Sequence, residues 1–404
     1  MNYFYNTIGL FLFCGIAFLF SENRKKIPWK MIFVTFFFQF ILLIVLYKIP
    51  ASVSVFNQLN LFAQELLNAS RTGAAFVFGD VMNQQKPAFF ISLISNLIFF
   101  SVLISLLYRF KIIPWLVLKL SKLTKKFLKL DSTEAIAAIS NIFIGMAEAN
   151  LLLKNYLENM SRAALMLLLS MGFATISGTL LLVYSSFGMQ LTDLLLATII
   201  SIPATVIYSR ILVPQTEPIS STENTNKNLD VNFMEDDSIF LTIVNGATRG
   251  LKLAFNICAL MLVIISLIAL GNIILGKFGA LFSMQISLEN ILGKLGYPLA
   301  LLLGIPQNEA GEIGELLSKK VVFNEFIAYM QLSNLKEVLS PRTFTIATFA
   351  LCSFSNFGSV AIQMASLNTL APSRKKEVSQ LIFKALLAGL LASFSTAILI
   401  SMII

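Results

Sequence analysis

The sequence predicts an all-α polytopic membrane protein, and two observations carry that prediction. Of its 404 residues, 57% are hydrophobic and only 13% are charged. Apolar runs at or near the length of about 20 residues that crosses a bilayer as a helix recur along the chain. Eight runs are predicted to be transmembrane helices: 4–20, 31–47, 88–108, 163–187, 191–208, 251–275, 343–367 and 378–404.

Two further apolar regions, 135–153 and 295–330, are interrupted by acids, glycines and asparagines. Irregular backbone is tolerated at membrane depth only where protein or a water-filled cavity surrounds it. These regions are therefore predicted to be re-entrant helical hairpins.

Three other segments are predicted to lie outside the bilayer core. In 52–67, apolar residues recur at helical spacing opposite Gln and Asn, and in 114–129 leucines are interleaved with lysines. Both patterns are typical of interfacial helices. The segment 214–238 is rich in Ser, Thr, Asn and acidic residues and is predicted to be a polar cytoplasmic loop.

The net charge of +9 indicates membrane orientation and not nucleic-acid binding, because the basic residues cluster beside apolar runs. The clusters at 24–30, 109–129 and 374–376 place their connections in the cytoplasm. Eight crossings then leave both termini outside a multi-pass protein of the cell inner (cytoplasmic) membrane.

The chain has no histidine and no Gly-rich phosphate loop. An enzyme would therefore lack the usual imidazole base or metal ligand, and ATP-driven transport would lack its nucleotide site. We predict a protein that is not an enzyme, with no catalytic residue and no cofactor. An inserted structural scaffold protein is a further alternative, and a channel is disfavoured because polar residues concentrate at two hairpins and two helix breaks instead of lining a continuous pore.

One arrangement of elements occurs twice in the sequence. Glu148 and Glu325 lie in the two interrupted regions, although a carboxylate at membrane depth costs about 2.5–3.5 kcal/mol even on lenient scales. Each is followed by an apolar run with a polar break, at Thr175 and at Asn356. Three crossings separate the hairpins, so they are predicted to enter from opposite sides. Such inverted repeats are typical of secondary transporters driven by an ion gradient.

This organisation predicts four regions. Peripheral and scaffold helices occupy 1–130, and the first repeat of hairpin, broken helix and span occupies 131–210. The polar loop and a long scaffold helix occupy 211–290, and the second repeat occupies 291–404.

Three strings resemble the concentrative nucleoside transporter family: Asn-Ile-Phe-Ile-Gly-Met-Ala-Glu-Ala at 141–149, Asn-Glu-Phe-Ile-Ala-Tyr at 324–329 and Ala-Thr-Phe-Ala-Leu-Cys-Ser-Phe-Ser-Asn at 347–356. The likeness covers nearly the whole chain. It implies eight spans, two re-entrant hairpins and three interfacial helices, assembled as a homotrimer in membrane lipid. It also implies a symporter that imports nucleosides such as uridine, cytidine or adenosine.

The resemblance assigns the nucleoside site to seven residues: Met146, Ala147, Glu148, Glu325, Phe354, Asn356 and Ser359. The first three would lie near the base, and Phe354 would line the pocket. The remaining three would bond the ribose, whose vicinal hydroxyls suit a carboxylate that accepts from both and an amide that donates and accepts.

Three of these polar residues could instead have structural roles. Glu325 could pair with Lys319 or Lys320, which would make it part of a buried ion pair. Asn356 and Ser359 could cap a broken helix, and capping is compatible with binding.

At Met146 and Ala147 the sequence departs from the family, many of whose members have Gln followed by Thr or Ser in contact with the base. An apolar wall without fixed donors reads base edges poorly. The sequence therefore predicts an altered or broader base preference.

For the coupling cation, the resemblance points to Asn141, Ile144, Thr175 and Ile176, which supply side-chain and backbone oxygens. Oxygen ligands suit a hard cation, so Na+ is favoured. Proton coupling through a buried Glu148 or Glu325 is the alternative. Transport of another small polar solute on the same fold is a second alternative.

Overall fold

The computed structural model describes residues 3–79, 89–216, 238–280 and 287–404, and within these ranges every regular element is a helix. The all-α prediction is confirmed for this part of the chain. Most of the predicted polar loop at 214–238 lies outside the described residues.

The first half of the chain contains eleven described α-helices, labelled in chain order. They are α1 (Tyr3–Leu19), α2 (Trp29–Lys48), α3 (Pro50–Phe78), α4 (Phe89–Arg109), α5 (Ile112–Leu128), α6 (Ser132–Ile144), α7 (Met146–Leu152), α8 (Lys154–Leu157), α9 (Arg162–Ala174), α10 (Gly178–Ser186) and α11 (Leu191–Leu212).

The second half repeats the pattern of short helices followed by a long one. Its described α-helices are α12 (Ile239–Ala280), α13 (Leu288–Leu302), α14 (Gln307–Val322), α15 (Glu325–Asn334), α16 (Pro341–Leu351), α17 (Phe357–Leu370) and α18 (Lys375–Ser401).

Six segments of the described chain are helical, long and apolar enough to cross a membrane, with α9 and α10 counted as one. A seventh arises if the bent pair α13 and α14 is one span. Two of the eight predicted spans differ from this set: α1 is a shorter apolar helix, and the run at 343–367 divides into α16 and α17. The count of eight crossings therefore stays a prediction.

The interrupted region predicted at 295–330 contains parts of three helices, not one hairpin. The helices α13 and α14 meet at 116° and pack closely, since a Cβ on Gly314 would lie 2.6 Å from the carbonyl carbon of Gly296. The chain then ends α14 at Val322 and begins α15 at Glu325. The tip that corresponds to Gly145 between α6 and α7 is therefore the turn at Phe323 and Asn324.

The predicted interfacial segments are helical. The first is longer than predicted, because α3 continues to Phe78 through a stretch without a helix-breaking proline. The second is α5, whose buried side includes Val117 and Leu128. Their position relative to a bilayer stays a prediction.

The centre of the molecule is formed by α9, α11 and α18, which are buried along most of their length. The first hairpin, α6–α7, packs against α9, and the second, α14–α15, packs against α16 and reaches α18 through Lys320. The long helix α12 lies outside and packs extensively along α4. At that crossing the backbones nearly touch, since a Cβ on Gly250 would lie 2.6 Å from the Cα of Ile98.

A buried ion pair fixes the beginning of the first hairpin. Asp131 caps α6 by accepting from the Glu134 backbone N–H at 2.7 Å. The Glu134 carboxylate accepts from Arg210 of α11 at 2.5 Å, and both side chains are 2% exposed. Removing one partner from such a pair leaves an uncompensated buried charge, so we assign Glu134 a role in holding α6 against α11.

Candidate functional site

The site lies where two broken helices face each other. The first break separates α9 from α10, with Thr175 in extended backbone and Ser177 preceding the new helix. The second separates α16 from α17, where Asn356 precedes the new helix. Helix ends leave backbone N–H and C=O groups without intrahelical partners, so both breaks offer polar groups inside an apolar core.

Glu325 is the first residue of α15 and is 5% exposed. Its two carboxylate oxygens have different partners. Oε1 accepts from the Tyr184 hydroxyl at 3.0 Å, and Oε2 accepts from Asn356 Nδ2 at 2.8 Å. This carboxylate is thus held by donors from two separate helices.

Lysine pairing does not account for the position of the Glu325 side chain. Lys319 Nζ donates to Glu315 and Gln331, and Lys320 Nζ donates to the carbonyl of Ala350 and the hydroxyl of Ser393. Lys320 and Glu325 attract each other electrostatically, but no direct hydrogen bond joins them.

Asn356 has two simultaneous roles. Its Oδ1 accepts from the Ser359 backbone N–H at 2.8 Å and caps α17, while its Nδ2 donates to Glu325. Capping and a place in the site are therefore compatible, because they use different atoms of the amide. Ser359 is 4% exposed and Phe354 is half-buried beside the same turn.

An aromatic cluster surrounds the carboxylate. The ring of Tyr184 stacks on that of Tyr329 with centroids 4.4 Å apart, and Phe326 and Phe187 pack edge-on at 5.3 Å from each other. Tyr184 and Tyr329 are fully buried. The rings exclude water from one side of Glu325, which strengthens the hydrogen bonds that it accepts.

The first hairpin supplies Met146, Ala147 and Glu148, the first three residues of α7. Met146 is 7% exposed, Ala147 is half-buried and Glu148 is exposed. The Glu148 carboxylate turns back to the tip, with Oε2 3.5 Å from where a Cβ on Gly145 would lie. Glu148 is the third residue of its helix and Glu325 the first of its own, so the two glutamates do not occupy matching positions.

A polar contact joins this hairpin to the second broken helix. Asn150 Nδ2 of α7 donates to Gln363 Oε1 of α17 at 2.6 Å and to the Ser366 hydroxyl at 3.2 Å. Asn150 and Gln363 are both buried. The predicted base-side residues of α7 are in this way held against the helix that begins after Asn356.

The four residues predicted to hold a cation lie where the first hairpin tip meets the first break. A Cβ on Gly145 would lie 3.1 Å from Ser177 Cβ, and one on Gly178 would lie 3.2 Å from the Phe143 carbonyl oxygen. The carbonyls of Ile142 and Phe143, near the end of α6, therefore adjoin the segment that follows Thr175 and Ile176. Gly145 has φ +84°, which a glycine adopts without strain.

The donor set at this place fits a hard monovalent cation. Asn141 is 1% exposed, its Nδ2 donates to the Ala137 carbonyl at 2.7 Å, and its Oδ1 has no hydrogen-bond partner. The carboxyl-terminal end of α6 adds the negative end of a helix dipole. Among the described residues, no group of three or more His, Cys, Asp or Glu side chains could hold a metal ion.

The structure adds site residues that the apolar pattern did not identify. Tyr184, Asn150 and Gln363 each lie in a helix dominated by apolar side chains. A polar group in an apolar run is the available sequence signal, but its partner is distant in the chain and cannot be deduced from spacing.

Family models match three successive parts of the chain. The Na+ dependent nucleoside transporter N-terminus matches residues 8–81, and the corresponding C-terminus matches residues 193–401. Between them, residues 90–191 match a model described as Gate, nucleoside recognition.

Characterised and uncharacterised proteins resemble the chain along its length. The nucleoside permease NupC of Helicobacter pylori is 34% identical over 406 residues, covering 97% of this chain and 96% of that protein. The uncharacterized transporter YutK of Bacillus subtilis is 33% identical over the full length of both. Human sodium/nucleoside cotransporter 1 is 27% identical, and the match covers 96% of this chain and 62% of that protein.

Solved structures of similar fold also resemble the chain along nearly its whole length. A structure of CNTnw in an inward-facing substrate-bound state superposes with a TM-score of 0.90 at 29% identity and covers 99% of each chain. A variant of CNTnw in an outward-facing state gives 0.91 at 28% identity over 99% of this chain and 97% of its own.

Proposed function

Because this chain belongs to the Na+-dependent nucleoside transporter family, we propose that it is a secondary active symporter that imports nucleosides by alternating access with Na+ as the coupling ion. Uridine, cytidine and adenosine are the proposed substrates. The observation that carries the proposal is the buried cluster of Glu325, Asn356 and Tyr184, in which a carboxylate and an amide meet between two broken helices.

The ribose end of the substrate is assigned to the second repeat. Two vicinal hydroxyls can donate to the Glu325 carboxylate, and Asn356 and Ser359 supply further polar atoms at the start of α17. Phe354 is half-buried beside this turn and offers a ring for the sugar or the base. The first turn of α17 is thus the proposed sugar-recognition element.

The base end is assigned to the tip of the first hairpin. Met146 and Ala147 present apolar surface, and Glu148 supplies an acceptor within electrostatic reach of Tyr108 and Arg249. Apolar contact discriminates weakly between bases, which supports a broad preference. Met146 and Ala147 are therefore the proposed determinants of base selectivity.

Na+ is proposed to be transported at the contact between the first tip and the first break. Asn141 would contribute its unpartnered Oδ1, Thr175 its hydroxyl, and Ile144 and Ile176 their carbonyl oxygens. A cation beside the carboxyl-terminal end of α6 would be attracted by the negative end of the helix dipole, and it would stabilise the contact between the hairpin tip and the first break. Cation binding would in this way order the tip that carries the base-side residues and so link the two solutes.

The proposed assembly is a homotrimer in the inner membrane, with both termini outside and the two hairpins re-entrant from opposite sides. The helix α12 supports an assembly or a lipid contact, because most of its large apolar side chains are exposed in the single protomer. The four-region division of the chain is part of the same proposal.

Uptake by purified protein in proteoliposomes tests the function. Labelled uridine and adenosine are offered under an inward Na+ gradient or an inward proton gradient. Accumulation under Na+ alone is expected. Accumulation under protons alone would assign coupling to a carboxyl group, and no uptake under either gradient would mean that the fold carries another small polar solute.

A further inference from the structure

Lys320 carries an ammonium group at the centre of the second repeat. The side chain is completely buried in α14, and an isolated charge at such a position is costly unless it is paired. Its Nζ donates to the Ala350 carbonyl at 2.6 Å and to the Ser393 hydroxyl at 3.1 Å, and it lies 5.0 Å from the centre of the Phe394 ring. The ammonium thus has two hydrogen-bond acceptors and an aromatic ring within cation–π distance.

The main acceptor for this ammonium is a freed helix carbonyl. Ala350 lies in the last turn of α16, where the break before Asn356 leaves carbonyl oxygens without intrahelical donors. That end of the helix also carries the negative end of the dipole. Lys320 therefore lies where a broken helix attracts a cation.

The two repeats can be aligned residue by residue through their helix caps. Ser161 and Ser340 are the N-caps of α9 and α16, and each accepts from the backbone N–H three residues on. Ser177 and Asn356 are the N-caps of α10 and α17. The two members of each pair are the same number of residues apart in the chain.

The same separation relates the two hairpins. It pairs the tip residue Gly145 with the tip residue Asn324, and it pairs Asn141 with Lys320. Lys320 thus occupies in the second repeat the register position that Asn141 occupies in the first. Asn141 presents an unpartnered oxygen at that position, whereas Lys320 presents a cation that donates to the Ala350 carbonyl and the Ser393 hydroxyl.

The carbonyl that Lys320 satisfies has a counterpart as well. Met171 in α9 aligns with Ala350 in α16, and its carbonyl accepts from the Thr175 hydroxyl at 2.8 Å. The first break therefore satisfies its own carbonyl with a neutral group and leaves the Asn141 oxygen open. At the second break, the corresponding carbonyl accepts instead from the Lys320 ammonium of the hairpin.

We propose that the Lys320 ammonium acts as a covalently attached cation of the second repeat, equivalent to the dissociable Na+ of the first. It holds the α14–α15 hairpin to the break after α16, so each protomer binds a single coupling cation with its nucleoside. The inference rests on the proposed function, since it counts the cations that accompany the substrate.

The test measures binding of labelled uridine to purified full-length protein as Na+ is varied. In wild type we expect a Hill coefficient of about 1 for Na+, because each protomer offers one Na+ site and protomers that bind independently show no cooperativity. Lys320→Asn copies the first repeat and opens a second place for Na+, so the coefficient is expected to rise to about 2. The Na+ concentration for half-maximal binding is expected to rise roughly tenfold.

The matched control is Lys319→Asn, which changes the adjacent lysine on the same helix. Lys319 bonds Glu315 and Gln331 and does not reach the break, so its loss is expected to leave the Hill coefficient at about 1. Size-exclusion chromatography and circular dichroism establish that both variants are folded.

The outcomes separate the inference from the proposed function. A folded Lys320→Asn protein with an unchanged coefficient, or one that binds no uridine at any Na+ concentration, overturns the inference alone. Wild-type binding that ignores Na+ overturns the proposed coupling and this inference with it. If Lys320→Asn does not fold, the number of radioactive Na+ ions bound to wild type at saturating uridine is measured instead. One ion per protomer supports the inference, and two ions per protomer overturn it.

Discussion

Asn356 Nδ2 donates a 2.8 Å hydrogen bond to Glu325 Oε2, joining the first residue of α15 to the cap of α17. The second hairpin and the second broken helix are thereby connected through their polar ends. Any movement that separates these two elements must break a buried hydrogen bond to a carboxylate, for which about 1.5–3 kcal/mol is typical.

Replacing Glu325 with Gln is expected to lower nucleoside affinity by roughly 10- to 100-fold or more, with uptake lost at ordinary substrate concentrations. A neutral amide cannot accept from Tyr184, Asn356 and two ribose hydroxyls as a carboxylate can. The assay is uridine uptake, with oligomeric state followed by size-exclusion chromatography. Glu312→Gln, on the exposed side of α14, is the control. Normal uptake by Glu325→Gln would remove this residue from the site.

Tyr184→Phe is expected to weaken uridine binding by roughly three- to tenfold, in the range of one hydrogen bond. The substitution deletes the hydroxyl that donates to Glu325 but retains the ring that stacks on Tyr329. Equilibrium binding measures the effect. Tyr156→Phe, at a half-buried position in α8, provides a matched change away from the site. Equal affinities for the two variants would contradict the role given to the Tyr184 hydroxyl.

The double substitution Met146→Gln with Ala147→Thr is expected to reorder the preference among uridine, cytidine and adenosine. It adds an amide and a hydroxyl to the first turn of α7, where directional hydrogen bonds can distinguish base edges. Competition for labelled uridine uptake gives the ranking. Leu151→Gln places the same amide on the exposed side of α7 and is expected to change nothing. An unchanged ranking in the double variant would argue against base contact at this tip.

Asn141→Ala is expected to raise the Na+ concentration for half-maximal uptake by roughly tenfold or more, because it removes the buried Oδ1 that has no other partner. The dependence of uptake on Na+ at constant ionic strength measures this. Asn159→Ala, at an exposed position, is the control. A Na+ requirement equal to that of wild type would place the cation elsewhere.

Glu22 connects the segment after α1 to α9 and α18, accepting from Arg162 at 2.7 Å and from Lys384 at 2.9 Å. The Arg162 hydrogen bond lowers the pKa of Glu22 from 4.5 to about 2. A lowered folded-state pKa stabilises above pH 4.5, and that stabilisation disappears as the pH falls to about 2.

Glu22→Gln is accordingly expected to reduce stability at pH 7 by only about 0.2–1 kcal/mol, because the group is partly exposed and its charge is screened. Thermal unfolding in low and high KCl measures it, and the difference from wild type is expected to shrink in high salt. A difference that is independent of both salt and pH would mean that packing, not charge, accounts for the loss.

The sequence predicts those features of the site that depend on local pattern. The helix breaks at Thr175 and Asn356 and the tip at Gly145 are visible because polar residues and glycine interrupt apolar runs. The partners of Glu325 are not visible in this way, since Tyr184 lies 141 residues from it in the chain and directly follows an apolar stretch of α10.

Equivalence between the repeats depends on structure and not on composition. The two glutamates attract attention because both are acids in apolar regions, yet helix caps align Glu325 with Met146 and Lys320 with Asn141. Residue type alone could not supply that register, because corresponding positions carry different side chains.

The close crossing of α4 and α12 has a mechanical consequence. Where two helices meet backbone to backbone, few side chains lie between them. The two helices therefore cannot easily slide past each other, and we expect α4 and α12 to move together as one rigid unit. Displacement of the central helices must then be accommodated at the other contacts of α4, where it meets α10, α5 and α3. A bulky residue at Gly250 would separate α4 from α12 without contacting any residue of the proposed substrate site.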